Sequence, residues 1–549
     1  MQSNYNINQT TLSISLDYIP EENHPAIYIN QLVENLSVKY HYQFGRPREY
    51  NLEALLKLVL LAYSYGIFSS RKIERFAREN KHAGWLIAGQ IPSYRTICRF
   101  RISDELTALT AEGLENLTLF LRKNNMIDNV SFIDGTKILA DANKYSFVWK
   151  KNTLRFDTMN REKLVELLGE LHEANLIGQV PEGSDLNPEL LEDMINKVEN
   201  HLVDLDQKVK ETPKISPNPA KQQRRQLKAK KRILDQRRDK LIQHQRQQTI
   251  YGKRNSYSKT DHDATFMRIK EDPMLNGQLK PAYNLQIATS NQFITGYQIF
   301  QNPTDTRTLP IFLHQLKRHH TLGKTIVADA GYGSESNYRF CEDELNEHTA
   351  LIPYGTMLRE NSRKWKSDDR KVMNWDYSEI DDYFIDLHGI QFKFNTYRQR
   401  TDKYGFKRDF KEYVAEKYDE NQQPQAAALT PKGNIRKILV NEVWEYHKAK
   451  ERKLLSEPKT GQIYAQRKID VEPIFGKMKA SLHFNRFSVR GLEKVTKEAG
   501  IVIMALNILK LVTVRTNLSK KAKRKLSEKP NMVFQTAFFF RDHLCHSLF

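Results

Sequence analysis

Thr325-Ile-Val-Ala-Asp329-Ala-Gly-Tyr-Gly333 is a short, mostly apolar run that stops at an aspartate and is followed at once by small residues. A run this short, closed by glycine, reads as a central strand buried on both faces. It delivers a carboxylate to the edge of a sheet, where open α/β folds place their ligands. The same pattern occurs at Val130-Ser-Phe-Ile-Asp134-Gly135-Thr136. A third acid, Glu472, lies in the helical stretch Tyr464-Ala-Gln-Arg467-Lys-Ile-Asp-Val-Glu472-Pro-Ile-Phe-Gly-Lys-Met-Lys479. Carboxylate oxygens contributed from distant parts of a chain are what a hard divalent cation such as magnesium requires. Two such ions about 3.5–4 Å apart can activate a nucleophile and steady a leaving oxygen in phosphodiester chemistry.

Outward from these stretches, Ala282–Ala288 and Phe293–Phe300 read as strands joined by the polar Thr289-Ser-Asn-Gln292, which makes a hairpin. A helix from Asp305 to His320, the strand ending at Asp329, a helix across Ser334–Leu345 and a strand at Thr349–Ile352 follow. This order predicts an α/β protein with a ribonuclease H-like mixed sheet flanked by helices, Asp134 and Asp329 at the ends of central strands. Residues 1–125 read as an N-terminal helical, DNA-binding module, and 126–150 with 251–353 as the sheet core. Residues 463–514 read as the core's C-terminal helices and 515–549 as a basic tail. Two insertions divide the core. Residues 151–250 carry Leu191, Ile195, Val198, Leu202 and Leu205, then Leu227, Leu234 and Leu241, which predicts a coiled helical hairpin. Residues 354–462 carry strand patterns at Tyr383–Leu387, Ile390–Tyr397 and Phe406–Ala415, which predict a small antiparallel sheet.

The formal net charge of +20 over 549 residues points to a polyanionic partner, nucleic acid ahead of an anionic membrane. The longest apolar runs, Leu52–Tyr65 and Ile501–Val512, are too short to span a bilayer and read as core helices. The opening Met1-Gln-Ser-Asn-Tyr lacks a signal-peptide pattern, so a cytoplasmic, nucleoid-associated protein is expected. Cys98, Cys341 and Cys545 are widely separated and support neither a disulfide framework nor a zinc site.

The chain resembles the insertion-sequence DDE transposases, and within them insertion-sequence family 1182. The residues that carry the resemblance are Gly45-Arg-Pro47, Phe132-Ile-Asp-Gly-Thr-Lys137, Ala142-Asn-Lys-Tyr145 with Trp149, Ser256–Phe266 and Lys280–Gln286. Asn302-Pro-Thr-Asp-Thr306, Ala328-Asp-Ala-Gly-Tyr332 and Val471-Glu-Pro-Ile-Phe-Gly476 complete them. The resemblance implies a bacterial transposase that binds the terminal inverted repeats of its element, cleaves the ends and transfers the strands to target double-stranded DNA. It also implies a homodimer in the synaptic complex and two Mg2+ (or Mn2+) ions held by Asp134, Asp329 and Glu472. A Tyr, Arg and Lys frame the Glu in this family. Here Lys479 follows Glu472 by seven, whereas Arg467 precedes it by five and Lys468 takes the expected place. Tyr464, Arg467, Lys479, Arg486 and Arg490 are the DNA-binding candidates.

Bland readings stand beside these. A strand-end Asp is often a cap and a helical Glu often a surface residue, and Asp470 and Glu493 compete with Glu472. Asp261 and Asp263 read as an added ligand or as a loop pairing its own charges. Arg95, Arg99 and Arg101 read as a DNA-reading helix or a solvated face. The basic residues of 224–238 read as a phosphate track or a solvated face. Two functional alternatives remain: a DNA-binding derivative that no longer cuts, and a metal-dependent nuclease without joining.

Overall fold

The structure, a computed structural model, describes residues 18–36, 49–211, 217–270, 277–418, 423 and 425–528. Gly45-Arg-Pro47 and the crowded His543, Cys545 and His546 lie outside the described residues.

Six helices come first: α1 (Pro25–Glu34), α2 (Leu52–Ser64), α3 (Ser70–Glu79), α4 (Lys81–Leu86), α5 (Tyr94–Phe100) and α6 (Asp104–Lys123). Every residue of α2 from Leu55 to Ser64 is buried, because the helix packs against α1, α3, α4 and α5 and also against α16 (Leu492–Glu528). The helical module is thus continuous with the main core. Ile501–Leu506 of α16 are buried. The stretch Leu492–Lys521 is long and apolar enough to cross a membrane by length and composition, but 61% of its apolar window is covered by protein. α16 also continues through Arg515–Glu528, the first part of the expected tail.

The central sheet is built from β1 (Val130–Leu139), β4 (Thr265–Arg268), β5 (Leu279–Ser290), β6 (Phe293–Phe300), β7 (Thr325–Ala328) and β8 (Thr349–Leu351); β2 (Phe147–Trp149) and β3 (Ser256–Ser258) form a separate two-stranded ribbon. β5 is antiparallel to β1, and β6 and β4 share its other edge; β7 and β8 run parallel to β1 on the opposite side. Alternating residues of β1 feed two cores. Phe132 joins the cluster of α16 and the N-terminal helices, and Ile133 joins that of α10 (Leu309–Arg318) and α11 (Glu335–Glu344). A strand buried on both faces reads as a nearly continuous apolar run, which is why Val130–Ile133, interrupted only by Ser131, is legible.

The first insertion forms three helices, not the expected two: α7 (Lys150–Glu173), α8 (Pro188–Glu211) and α9 (Pro219–Tyr251). Leu164, Leu167, Leu168 and Leu171 give α7 a third apolar stripe that packs with Leu191, Val198, Leu227, Leu234 and Leu241. The high charge of that stretch hid the stripe. After the short helices α12 (Met357–Glu360) and α13 (Arg363–Lys366), the second insertion forms a five-stranded antiparallel sheet. Its strands are β9 (Asp376–Ser378), β10 (Tyr383–Ile385), β11 (Gln391–Thr401), β12 (Lys407–Ala415) and β13 (Lys437–Val440). The part of 354–462 nearest the C-terminus is instead α14 (Glu442–Ser456), which packs on the core through Trp444 stacked on Tyr338 at 5.7 Å. α15 (Pro458–Gly476) then crosses β1, β5 and β7 and runs into a π-helical turn at Lys477–Ser481.

Candidate active site

Ile133 of β1 lies opposite Ala328 of β7, so the next residues, Asp134 and Asp329, follow side by side on parallel neighbours. Ile133 and Ala328 face the α10–α11 core, and side chains alternate along a strand. Both aspartates therefore project from the other face, the one crossed by α15. β7 ends before Asp329 as expected, whereas β1 does not end at Asp134. It continues to Leu139 because the twelve-residue β5 stays paired along it, and Asp134 sits where the parallel partner departs.

Backbone amides hold each carboxylate: Gly135 N donates to Asp134 Oδ1 at 2.7 Å and Gly331 N to Asp329 Oδ1 at 2.8 Å. A Cβ at either glycine would displace a side chain of the site. A Cβ on Gly331 would stand 2.9 Å from Asp329 Oδ1, and one on Gly135 would stand 2.1 Å from Gln286 Nε2. Burial, and next the charge on Asp329, push Asp134 up from 3.8 to about 6, against the Gly135 amide and the Arg467 guanidinium. A carboxylate pressed against a second one in a partly dry site holds its proton more tightly.

α15 supplies the counter-charge. Arg467 Nη1 donates to Asp134 Oδ2 at 3.1 Å, and Tyr464, one turn earlier, is half-buried near both aspartates. Burial raises the Tyr464 hydroxyl, and Arg467 pulls it down. The arginine five residues before Glu472 is thus the one that meets the site, while Lys468 is exposed.

Glu472 is not brought in. It is exposed, its carboxylate has no hydrogen-bond or ion-pair partner among the described residues, and five residues turn it about 140° around the helix from Arg467. Among the described residues no group of three His, Cys, Asp or Glu side chains is placed to hold a metal. The competing acids are absorbed elsewhere. Asp470 is buried and accepts from Thr289 Oγ1 at 2.6 Å and Gln292 N at 3.1 Å, pinning α15 to the β5–β6 hairpin. Glu493 pairs with Lys497 at 2.6 Å. Asp261 and Asp263 take neither expected role: they accept from Gly491 N at 3.2 Å and Leu492 N at 2.8 Å, capping the start of α16.

The basic candidates divide likewise. Arg486 and Arg490 both pair with Asp141, at 3.1 and 2.9 Å, and Lys479 is half-buried in the π-helical turn. Arg101 is no DNA reader. It is buried and bonds Glu498 Oε1 at 2.5 Å and Tyr63 at 2.6 Å, tying the helical module to α16.

A network missed by sequence reasoning backs the site on the opposite face of the sheet. Asp305 accepts from Asn284 Nδ2 at 2.6 Å, Gln286 Nε2 at 2.9 Å and Lys137 Nζ at 3.2 Å, and Tyr332 donates to Gln286. Thr306 Oγ1 donates to Gly331 O at 2.7 Å, clamping the loop that follows Asp329. The available signal was Asn284 and Gln286, two amides on one face of an otherwise apolar strand.

Residues 254–508 match the family model described as Transposase DDE domain. This stretch of the chain is similar to a transposase DDE domain. A second match, to Transposase domain (DUF772), covers residues 14–103 and so takes in the first five helices. No curated protein and no solved structure matches the chain. The DDE match includes Asp329 and Glu472 but starts after the three-helix insertion. Asp134 therefore joins this domain through the pairing of β1 with β5 and β7.

Proposed function

We propose that this protein is a DNA transposase: it binds the terminal inverted repeats of its element, cleaves DNA there and transfers the freed ends to target DNA. The observation that carries the proposal is the pair Asp134–Asp329, two carboxylates side by side on neighbouring strands of a transposase DDE domain. The strand order, with β5 and β6 antiparallel on one side of β1 and β7 and β8 parallel on the other, supports the ribonuclease H-like reading of that domain.

The pair fits a hard divalent cation, Mg2+ or Mn2+. Its donors are carboxylate oxygens, and burial beside Asp329 leaves Asp134 holding its proton up to about pH 6, a cost that a cation in the protein interior would remove. Magnesium commonly takes only one or two protein carboxylates and completes its shell with water and substrate phosphate. When bound, such an ion supplies Lewis-acid polarisation of a phosphodiester and a more acidic water or 3′-hydroxyl. The chain's own residues supply the rest. The Gly135 and Gly331 amides fix the orientation of the two carboxylates. Arg467 balances Asp134 and presents a planar cation suited to a phosphate, and Tyr464 packs beside it. Glu472 enters the proposal as the third ligand. The helix that carries it crosses both aspartate strands, contains Pro473 and ends in a π-helical turn, two features that break strict helical phase and accompany functional sites. A homodimer follows from the reaction, which must hold two element ends.

The exposed Glu472 also favours a second reading, a DNA-binding derivative that no longer cuts. One assay separates the two: full-length protein with Mg2+ and a duplex carrying its element's ends. Cleaved and joined products support the transposase, binding without any cleavage supports the derivative, and cleavage without joined product reduces the activity to that of a nuclease.

A further inference from the structure

The three-helix insertion sorts its charges by face. α9 carries eleven Lys and Arg against two Asp, while α8 carries seven acids against three Lys. Four of the five half-exposed cations of α9 are ion-paired with the other two helices, and the fifth, Arg237, donates to Asn160 Oδ1 at 3.2 Å. Arg224 meets Asp206 and Arg238 meets Glu192, while Lys230 meets Glu170 at 2.8 Å and Lys231 meets Glu199 at 2.7 Å. Lys221, Arg225, Lys228 and Arg232 are different: all four are exposed, and none has an ion-pair partner among the described residues. Their spacings of four, three and four place them within about 60° on one side of the helix. Asp239, next on that side and paired with Arg238, closes the stripe.

We infer that this stripe is a second DNA contact, a track for the phosphate backbone of a duplex, separate from the aspartate pair. The eleven helical rises from Lys221 to Arg232 make it about 16 Å long, a length over which duplex DNA presents about ten phosphate charges. It lies about 28–45 Å along α9 from Tyr251, where the helix returns to the core. An anionic membrane is disfavoured, because an interfacial helix needs large apolar residues beside its cations. Here the exposed neighbours are Gln222, Gln223, Gln226, Ala229 and Gln236, with Ile233 the single large apolar one. Four exposed cations on one helix face suit contacts to the phosphate backbone, which position a duplex without reading its bases, so the contact is sequence-independent. The inference rests on the reading of the chain as a DNA-acting protein, but its test does not depend on cutting.

The test is the salt dependence of binding by the full-length protein to a labelled 40-base-pair duplex of arbitrary sequence, compared with K221Q/R225Q/K228Q/R232Q. Each neutralised phosphate contributes about 0.9 to the slope of log affinity against log salt, so four lost contacts should reduce the slope by about 3.6. Between 50 and 200 mM NaCl the affinity advantage of the wild type should then shrink about 150-fold. The control K230Q/K231Q, which removes cations already paired with acids, should change the slope by less than about 1. Unchanged helix content by circular dichroism confirms that the quadruple variant is folded, as expected for four exposed positions. An unchanged slope overturns the inference, as does an equal loss per residue in the control. A larger loss of binding to phosphatidylserine vesicles or to single-stranded RNA than to duplex DNA also overturns it. Cutting that survives D134N would refute the proposed function and leave this result standing.

Discussion

Replacing Asp134 by Asn removes one of two carboxylates forced together at the sheet edge and should stabilise the metal-free protein. Burial and Asp329 raise Asp134 from 3.8 to about 6 in the folded chain. An acid raised in this way contributes its stability below pH 3.8, and that contribution is lost as pH rises through 6. Each pKa step of one corresponds to about 1.36 kcal/mol, so the full loss at pH 7–8 is about 3 kcal/mol. That is an upper limit, since the Asp134 side chain keeps 21% exposure and some hydration. Asn does not titrate. Thermal midpoints measured in EDTA should therefore coincide for wild type and D134N at pH 4, separate between pH 4 and 6, and differ by several degrees at pH 7–8, with the variant higher. Adding Mn2+ at pH 7.5 should raise the wild type and leave D134N unmoved. A variant equal to or less stable than the wild type across the range, or equally raised by Mn2+, refutes the reasoning.

Arg467→Gln should move the wild-type pH midpoint of that comparison upward, because the guanidinium is one of the two groups holding Asp134 down; a downward or absent shift contradicts the contact. Arg101→Met strands the buried Glu498 carboxylate and should cost about 3–5 kcal/mol, while the double change with Glu498→Met should recover most of it, as measured by denaturant unfolding. Glu451 is buried, accepts from Ile352 N at 3.1 Å and is raised to about 8 chiefly by burial. Stability should therefore fall by up to about 1.4 kcal/mol for each pH step between 4.5 and 8 and level off above 8, and Glu451→Gln should flatten that decline.

What was legible in the sequence follows from burial on both faces. Val130–Ile133 and Thr325–Ala328 are apolar apart from Ser131 and Thr325, so their ends, and the aspartates on them, stand out. The continuation of β1 past Asp134 did not, because Gly135, Thr136 and Lys137 look like a loop until the long antiparallel partner β5 is placed beside them. Arg101 looked like a surface cation because its partner, Glu498, lies 397 residues away. Asp305 is read as the start of a helix and as part of a resembling stretch, and its role depends on amides from β5 that no local spacing reveals. Glu472 is nominated by its helical stretch and by the resemblance of Val471–Gly476, and neither fixes rotational phase in a helix containing a proline and a π turn.

The central claim is that Asp134 and Asp329 together hold a divalent cation in the DDE domain. Its most direct test is Mn2+ binding followed by electron paramagnetic resonance, on wild type, D134N, D329N and E472Q, each with a duplex present. The account predicts saturable binding by the wild type and its loss in both aspartate variants. Wild-type Mn2+ affinity in D134N and D329N would contradict it.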